Sequence, residues 1–158
     1  MRVLAAIIAL SCCVLEGFRR SRALKNRALF LGEISQMLGN FLIEIRCSGL
    51  TLDELIGRAE GRFAEMARGY IEVGEDAKSA WEKACSQLSE NGGEAALLAE
   101  LGQSIGTSDR EGTLRLIELY AERFSEMERS ARAEYSRKGK AVMQVGALCG
   151  IAAAVIII

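Results

Sequence analysis

The feature that most constrains the fold is an uncharged run over residues 141–158, with the sequence AVMQVGALCGIAAAVIII. As a helix this run would be about 27 Å long, close to the ~30 Å hydrocarbon core of a bilayer. The sequence therefore predicts a C-terminal transmembrane helix over residues 141–158. Gly146 and Gly150 lie four residues apart on one face of it, followed by Ala154. This spacing is either a packing surface for another membrane helix or a chance result in an Ala- and Gly-rich segment.

A second apolar run, Val3 to Leu15, would form a helix of only about 20 Å. A signal peptide fits it poorly, since a single Arg2 precedes the run and no Ala-x-Ala cleavage site follows. A lipoprotein signal would place Leu three residues before Cys13, but a second cysteine stands where Gly or Ala is usual. We favour the third interpretation, a short membrane anchor over residues 1–18 whose flanking arginines reach the interfaces.

Charge is distributed unevenly along the chain. Lys and Arg are concentrated in residues 19–27 and 137–140, on the inner side of both apolar runs. The positive-inside rule then predicts a cytoplasmic middle with both termini on the other side. Residues 31–130 carry ten Lys and Arg against nineteen Asp and Glu. An acidic domain argues against a nucleic-acid partner, and the basic flanks are better explained by anionic membrane lipid.

The middle of the chain is predicted to be all-α, because Pro is absent and apolar residues recur at spacings of three and four. Two long helices that enter and leave one membrane face should pack antiparallel. We therefore predict an antiparallel bundle of about five to six helices in a domain over residues 19–140. The first predicted helix runs from the anchor to about Arg46, with Gly49 as its cap. The second begins at Thr51, with Glu54 completing a capping box, and runs to about Tyr70 with a division at Gly57 and Gly61. The third covers about 75–89 with Trp81 as a core anchor, and the fourth covers about 94–105 after an NGGE turn. The last runs from Ser108 into the membrane tail as one helix of roughly fifty residues.

The sequence predicts neither an enzyme nor a cofactor site. The chain has no His, which removes the commonest general base and metal ligand, and its five Cys lack metal-ligand spacing. The segment GQSIGTS follows a predicted helix and lacks the Lys of a phosphate-binding loop, so no nucleotide or other small-molecule substrate is expected. Adjacent carboxylates such as Glu75 and Asp76 diverge on a helix and form no acid/base dyad.

The stretch from Gly106 to Glu111 predicts a corner between two helices. Gly106 closes one helix, and Ser108 with Glu111 would form the capping box of the last one. Asp109 would complement the dipole of that helix. Ser108→Ala or Asp109→Ala should therefore cost about 1 kcal/mol of stability through the lost cap.

Several short motifs are spread along nearly the whole chain. They are Glu44-Ile45 at a helix end, the element Leu52 to Ile56, the pair Ala80-Trp81, the segment IGTSDREG from Ile105 to Gly112, and Lys138-Gly139-Lys140 before the apolar tail. In their order and spacing, these motifs resemble the stage III sporulation protein AB family of spore-forming Firmicutes. Three positions depart from the family pattern: Thr51 replaces Pro, Ile105 replaces Leu, and Thr113 replaces Gln.

The resemblance implies a membrane component of the sporulation channel between mother cell and forespore. Its soluble domain is expected to be similar to the cytoplasmic domain of the type II secretion F platform proteins and to work with a cytosolic secretion-type ATPase. The location implied is the outer forespore membrane, with the soluble domain on the mother-cell side.

The apolar ends, the acidic middle and the resemblance together predict an adaptor or platform subunit. Such a subunit would present an acidic surface to a soluble motor and contact other membrane subunits. We predict that Glu72, Glu75 and Asp76 belong to the docking surface. The alternative from another class is a structural coiled-coil membrane scaffold that dimerises through its long helices. An enzyme is the third hypothesis, and no residue can be named for its site.

Overall fold

The computed structural model describes residues 2–88, 92–105, 110–139 and the single positions 141, 144, 145 and 148. Within these residues the chain forms six α-helices and no strand, which confirms the prediction of an all-α protein. The contacts divide the chain into two compact units. Unit 1 joins residues 1–29 to 127–158, and unit 2 comprises residues 30–126. The helices are α1 (Arg2–Ser48), α2 (Leu52–Arg58), α3 (Arg62–Glu72), α4 (Ala77–Gln87), α5 (Gly92–Ser104) and α6 (Arg110–Glu134), and a π-helix (Tyr135–Gly139) follows α6.

The two long helices differ in how well the sequence predicts their extent. α1 is one unbroken helix that ends at Ser48, two residues beyond the predicted end. The prediction of a single α-helix from Ser108 into the tail is wrong in one respect, because α6 stops at Glu134 and five residues of π-helix follow. A π turn accommodates one extra residue per turn, and such turns are rare in α-helical segments.

The boundaries of the short helices lie close to the predicted ones. The predicted division of the second helix is confirmed at Gly61, which has φ +109° and lies immediately before α3. Gly57, the other predicted break, lies inside α2. Glu33 of α1 accepts a hydrogen bond from the backbone N–H of Arg62 at 3.3 Å, which satisfies one free amide at the start of α3. α5 begins at Gly92, two residues before its predicted start. Gly92 and Gly93 therefore belong to the helix rather than to the predicted turn.

Trp81 forms the centre of the core of unit 2, as predicted. Its side chain is fully buried, and its ring meets Phe63 edge-on with centroids 4.7 Å apart and Phe41 at 6.5 Å. The indole N–H donates to the backbone carbonyl of Leu98 in α5 at 2.7 Å, so the one polar atom of the ring is paired. One side chain thus contacts residues of α1, α3 and α5.

The apolar faces predicted for α1 and α6 are buried only in part. In unit 2, Leu31, Ile34, Leu38 and Phe41 of α1 and Ile117 and Phe124 of α6 are buried. Leu114, Ala121 and Met127 are half-buried, and Tyr135 is exposed. Tyr120 of α6 is also buried.

Unit 1 contains a contact between its two chain segments. Ala28 and Ala131 are buried in it, and the Arg27 guanidinium lies 3.9 Å from a carboxylate oxygen of Glu134. Lys138 donates a hydrogen bond of 2.8 Å to the same side chain. The salt bridge holds the two segments next to one another at this point.

One stretch of the described chain, Leu15–Ser48, is long and apolar enough to cross a membrane. Its most apolar window is 44% buried inside the structure, so a buried core helix of a soluble protein would pass the same test. Of the predicted C-terminal transmembrane helix, only positions 141, 144, 145 and 148 are described, and all four are helical. The domain boundaries at residues 18 and 141 stay predictions.

Candidate functional site

The end of α1 is held by a cation from the start of α6. Gly49, at φ +63°, ends α1 and donates to the carbonyl of Ile45 at 3.1 Å. A guanidinium nitrogen of Arg110 donates to the Ile45 carbonyl at 2.6 Å and to the Arg46 carbonyl at 2.9 Å. The last carbonyls of a helix lack internal partners and carry its negative dipole end, so a cation there is doubly favourable.

The next helix begins with the predicted capping box. The backbone N–H and the hydroxyl of Thr51 both donate to a carboxylate oxygen of Glu54, at 2.9 and 3.1 Å. The backbone and side-chain hydrogen bonds from Thr51 lower the pKa of Glu54, with a smaller contribution from Arg58. The carboxylate is therefore ionised at neutral pH and committed to the cap.

α4 begins at the same end of unit 2 with Asp76 as its N-cap. The Asp76 carboxylate accepts a hydrogen bond of 3.2 Å from the backbone N–H of Ser79. Hydrogen bonds from Ser79 are the main cause that lowers the pKa of Asp76. This carboxylate, like that of Glu54, stabilises a helix start rather than standing ready for proton transfer.

A pocket of about 620 Å³ lies among these helix ends, with Ile45, Thr51, Asp76, Lys78 and Arg110 in its wall. Its wall contains acidic and basic groups, and Asp76 and Arg110 are already engaged with backbone groups. Among the described residues, no group of three His, Cys, Asp or Glu could hold a metal ion. The arrangement joins helix ends, and the carboxylates of Glu54 and Asp76 each serve in a helix cap.

The residues predicted for the helix corner are only partly described. Gly106, Ser108 and Asp109 lie outside the described residues, so their capping role stays a prediction. Glu111 is exposed in the first turn of α6, where it accepts from Arg115 at 3.2 Å. The two glycines predicted to pack membrane helices, Gly146 and Gly150, also lie outside the described residues.

The acidic residues predicted to dock a partner lie together in sequence at the end of α3 and the start of α4. Glu72 is the exposed last residue of α3, and Asp76 is the exposed cap of α4. Glu75 is half-buried and forms an ion pair with Lys83. Val73, between them in sequence, is 84% exposed. We define Glu72, Val73, Glu75 and Asp76 as the acidic loop.

Two residues with clear roles were missed by the sequence predictions. Arg110 forms part of the IGTSDREG motif, but its target carbonyls lie 64 and 65 residues earlier. Gly102 packs directly against the ring of Trp81. A cation at a helix start and a glycine within a helix are weak signals, because neither indicates which distant group it meets.

The chain was compared with known protein families, curated proteins and solved structures. The family model described as stage III sporulation protein AB matches residues 2–158, a range that contains all six helices. No curated protein matches the chain. No solved structure matches it either.

Proposed function

The chain belongs to the stage III sporulation protein AB family, and from this premise we propose that it is a membrane-anchored adaptor subunit of the sporulation channel between mother cell and forespore. In this role the chain is held by both apolar ends in the outer forespore membrane. Its soluble part lies on the mother-cell side, in the cytoplasm. There it engages a cytosolic secretion-type ATPase and couples that motor to other membrane subunits without catalysing a reaction itself.

The observation that carries the proposal is the Arg27–Glu134 salt bridge in unit 1. Arg27 is the last residue of the first basic segment, residues 19–27. Glu134 is the last residue of α6 and lies just before Arg137 and Lys138 in sequence. The pair holds the segment that follows the first apolar run beside the segment that precedes the second. Such a junction is what a chain needs if it leaves and re-enters the same membrane face.

We also propose that the helices form an antiparallel bundle similar to the cytoplasmic domain of the type II secretion F proteins. In unit 2 the first residue of α6, Arg110, contacts the last turn of α1. In unit 1 the last residue of α6, Glu134, pairs with Arg27 of α1. The contact within unit 2, between the start of α6 and the end of α1, supports antiparallel packing of these two helices.

The alternative, a scaffold that dimerises through its long helices, has less support. The apolar faces that a coiled coil would use include Leu31, Leu38 and Phe124, which are buried within the single chain. Their hydrophobic surface therefore requires no second copy. The mass of the full chain in detergent, measured by light scattering, separates the two proposals: an obligate dimer favours the scaffold.

We propose the acidic loop as the docking surface for the ATPase. Glu72 is exposed and makes no polar contact among the described residues, and the neighbouring Val73 adds an exposed apolar side chain. An apolar residue beside carboxylates fits a partner surface that is basic at its rim and apolar at its centre. Electrostatic attraction of this kind speeds association and weakens with salt.

The test measures binding of the purified ATPase to the full chain in lipid nanodiscs at low and high salt. Glu72→Lys with Asp76→Ser reverses one charge and removes another, while Ser retains an N-cap at the start of α4. We expect weaker binding of this variant and weaker binding of the natural chain at high salt. The matched control is Glu122→Lys with Glu126→Gln, which changes the charge equally at exposed positions of α6.

Each outcome bears on the proposal. Equal loss in the control and the loop variant would mean that net charge, not the acidic loop, attracts the ATPase. Absence of binding by the natural, folded chain at low salt would refute the adaptor role.

A further inference from the structure

One exposed face of α1 changes from apolar to basic over less than three helical turns. Leu15, Phe18, Arg22 and Lys25 follow one another at spacings of three, four and three, which places them on one side of the helix. All four side chains are exposed, Leu15 to 66% and Phe18 to 43%. We define these four residues as the α1 stripe.

The cations of the α1 stripe have no carboxylate partner among the described residues. The Arg22 guanidinium lies over the ring of Phe18, 4.3 Å from its centroid. Two of the neighbouring cations differ: Arg20 pairs with Glu16 at 3.1 Å, and Arg27 pairs with Glu134. Within the described part of the chain, Arg22 and Lys25 are thus left without a neutralising carboxylate.

The order of the side chains along the α1 stripe matches the layers of a bilayer surface. At about 1.5 Å per residue, Arg22 lies about 6 Å and Lys25 about 10 Å beyond Phe18 along the helix axis. The headgroup region on each side of a bilayer is about 5–8 Å thick. With Leu15 and Phe18 at the edge of the hydrocarbon, Arg22 would therefore be at headgroup depth. Lys25 would lie just outside the headgroups, and its long, flexible side chain reaches back to them.

Unit 1 adds positive charge from its second chain segment. Arg137 and Lys138 are exposed in the π-helix, directly after the exposed ring of Tyr135. Lys138 forms a salt bridge with Glu134, whereas Arg137 has no carboxylate partner in the described part of the chain. Both segments of unit 1 thus place an exposed aromatic ring next to cations, and both are held together by the Arg27–Glu134 pair.

We propose that the α1 stripe binds the headgroup phosphate of an anionic glycerophospholipid. Arg22 supplies several N–H donors in a planar group that suits phosphate, and Lys25 adds a second charge. Two cations without acidic neighbours favour a lipid with net negative charge over a zwitterionic one, whose own ammonium group would be repelled. The inference rests on the membrane anchorage in the proposed function and assigns recognition of the anionic headgroup to these two side chains.

The experiment counts lipids that stay bound to the full chain. The protein is reconstituted in nanodiscs with equal amounts of dioleoylphosphatidylglycerol and dioleoylphosphatidylcholine, released into mild detergent, and analysed by native mass spectrometry. We expect retained phosphatidylglycerol to exceed retained phosphatidylcholine. Arg22→Gln with Lys25→Gln should reduce the excess by about fivefold for each cation removed, whereas the charge-preserving Arg22→Lys with Lys25→Arg should retain most of it.

The matched control is Arg115→Gln with Arg123→Gln, which removes two exposed cations from α6 within unit 2. It should leave the excess of phosphatidylglycerol unchanged. Equal retention of the two lipids by the natural chain, or an unchanged excess in the Arg22/Lys25 variant, would overturn the inference while leaving the membrane anchorage intact. A chain that enters neither this bilayer nor a purely zwitterionic one would overturn both.

Discussion

Gly102 of α5 lies directly against the indole ring of Trp81 in α4. A Cβ atom on Gly102 would lie 2.2 Å from Cδ1 and 2.5 Å from Nε1 of that ring, well inside van der Waals contact. The same indole N–H donates to the carbonyl of Leu98, one turn earlier in α5. The two helices thus approach so closely that only a residue without a side chain fits between ring and backbone.

Gly102→Ala should therefore destabilise the protein although alanine is the better helix former. Overpacking a close-packed core costs about 1–3 kcal/mol, and the gain in helix propensity returns at most about 1 kcal/mol. Because the buried ring has no room to move, we expect a net loss of about 2 kcal/mol. The single tryptophan of the chain makes its fluorescence during urea unfolding a direct measure of unit 2.

The control for this prediction is Gly69→Ala in α3. A Cβ on Gly69 would meet nothing within 4 Å, and the residue is exposed in the body of a helix. We expect this variant to be more stable than the natural protein by about 0.5–1 kcal/mol. Equal effects of the two substitutions would contradict the packing role of Gly102.

Trp81 and Gly102 illustrate how far the sequence predicts the core. The spacing of Ala77, Trp81, Ala84 and Cys85 predicts the buried face of α4, and all four are buried. Gly102 belongs to the segment GQSIGTS, whose glycines suggest a phosphate loop or a corner. Its actual neighbour lies 21 residues earlier, and periodicity within one helix contains no information about which residue of another helix it meets.

Arg110 should stabilise unit 2 through the end of α1. We expect Arg110→Met to cost about 1 kcal/mol, because two helix carbonyls lose a charged donor at a partly solvated site. Arg110→Lys should fall between Met and Arg, since a point charge lacks the planar fork that reaches both carbonyls. Urea unfolding measures both variants. Arg115→Met, at an exposed residue paired only within its own helix in the described contacts, should change stability by less than about 0.5 kcal/mol.

In the candidate site, too, contacts between residues close in sequence could be predicted, and contacts between distant residues could not. Gly49 as the end of α1 and the Thr51–Glu54 capping box were predicted because each device acts within four residues. The bond from Arg110 to the Ile45 carbonyl joins positions 65 residues apart, so its prediction would need the fold first. In the acidic loop, the sequence analysis identified the carboxylates but did not predict that Asp76 caps α4.

Asp76 should contribute to stability in a pH-dependent way. Its pKa is lowered in the folded state, so its stabilising effect is present above the unfolded-state pKa of about 3.9 and is lost as pH falls through the folded-state value. We expect Asp76→Ala to unfold at lower urea than the natural protein at pH 7, and the difference to shrink below pH 4. Asp76→Ser, which keeps a cap without a titrating group, should lack this pH dependence. A difference that grew on acidification would contradict the assignment.

Cys85 and Cys47 should differ sharply in reactivity. Burial raises the pKa of the Cys85 thiol to about 12, with a smaller contribution from the negative charge of Glu82. At pH 8 the folded protein would then hold about one part in ten thousand of this thiol as the reactive thiolate. Cys47 is exposed at the end of α1. We expect N-ethylmaleimide to modify Cys47 within minutes and Cys85 only after unfolding in urea, as measured by peptide mass mapping. Modification of both at equal rates in the folded chain would contradict the buried position of Cys85.

The orientation of the C-terminal apolar run is tested by a reporter enzyme that is active only outside the cytoplasm, fused after Ile158. The Arg27–Glu134 contact holds the two basic segments together, and cations next to a membrane span remain on the cytoplasmic side. A run that starts there and crosses once must end on the opposite side, so we expect an active fusion. The control is the same reporter inserted after Gly74, at the exposed turn beyond α3, which should be inactive. An inactive fusion after Ile158 together with an inactive one after Gly74 would show that the second run does not cross, and the chain would then be held in the membrane by its first helix alone.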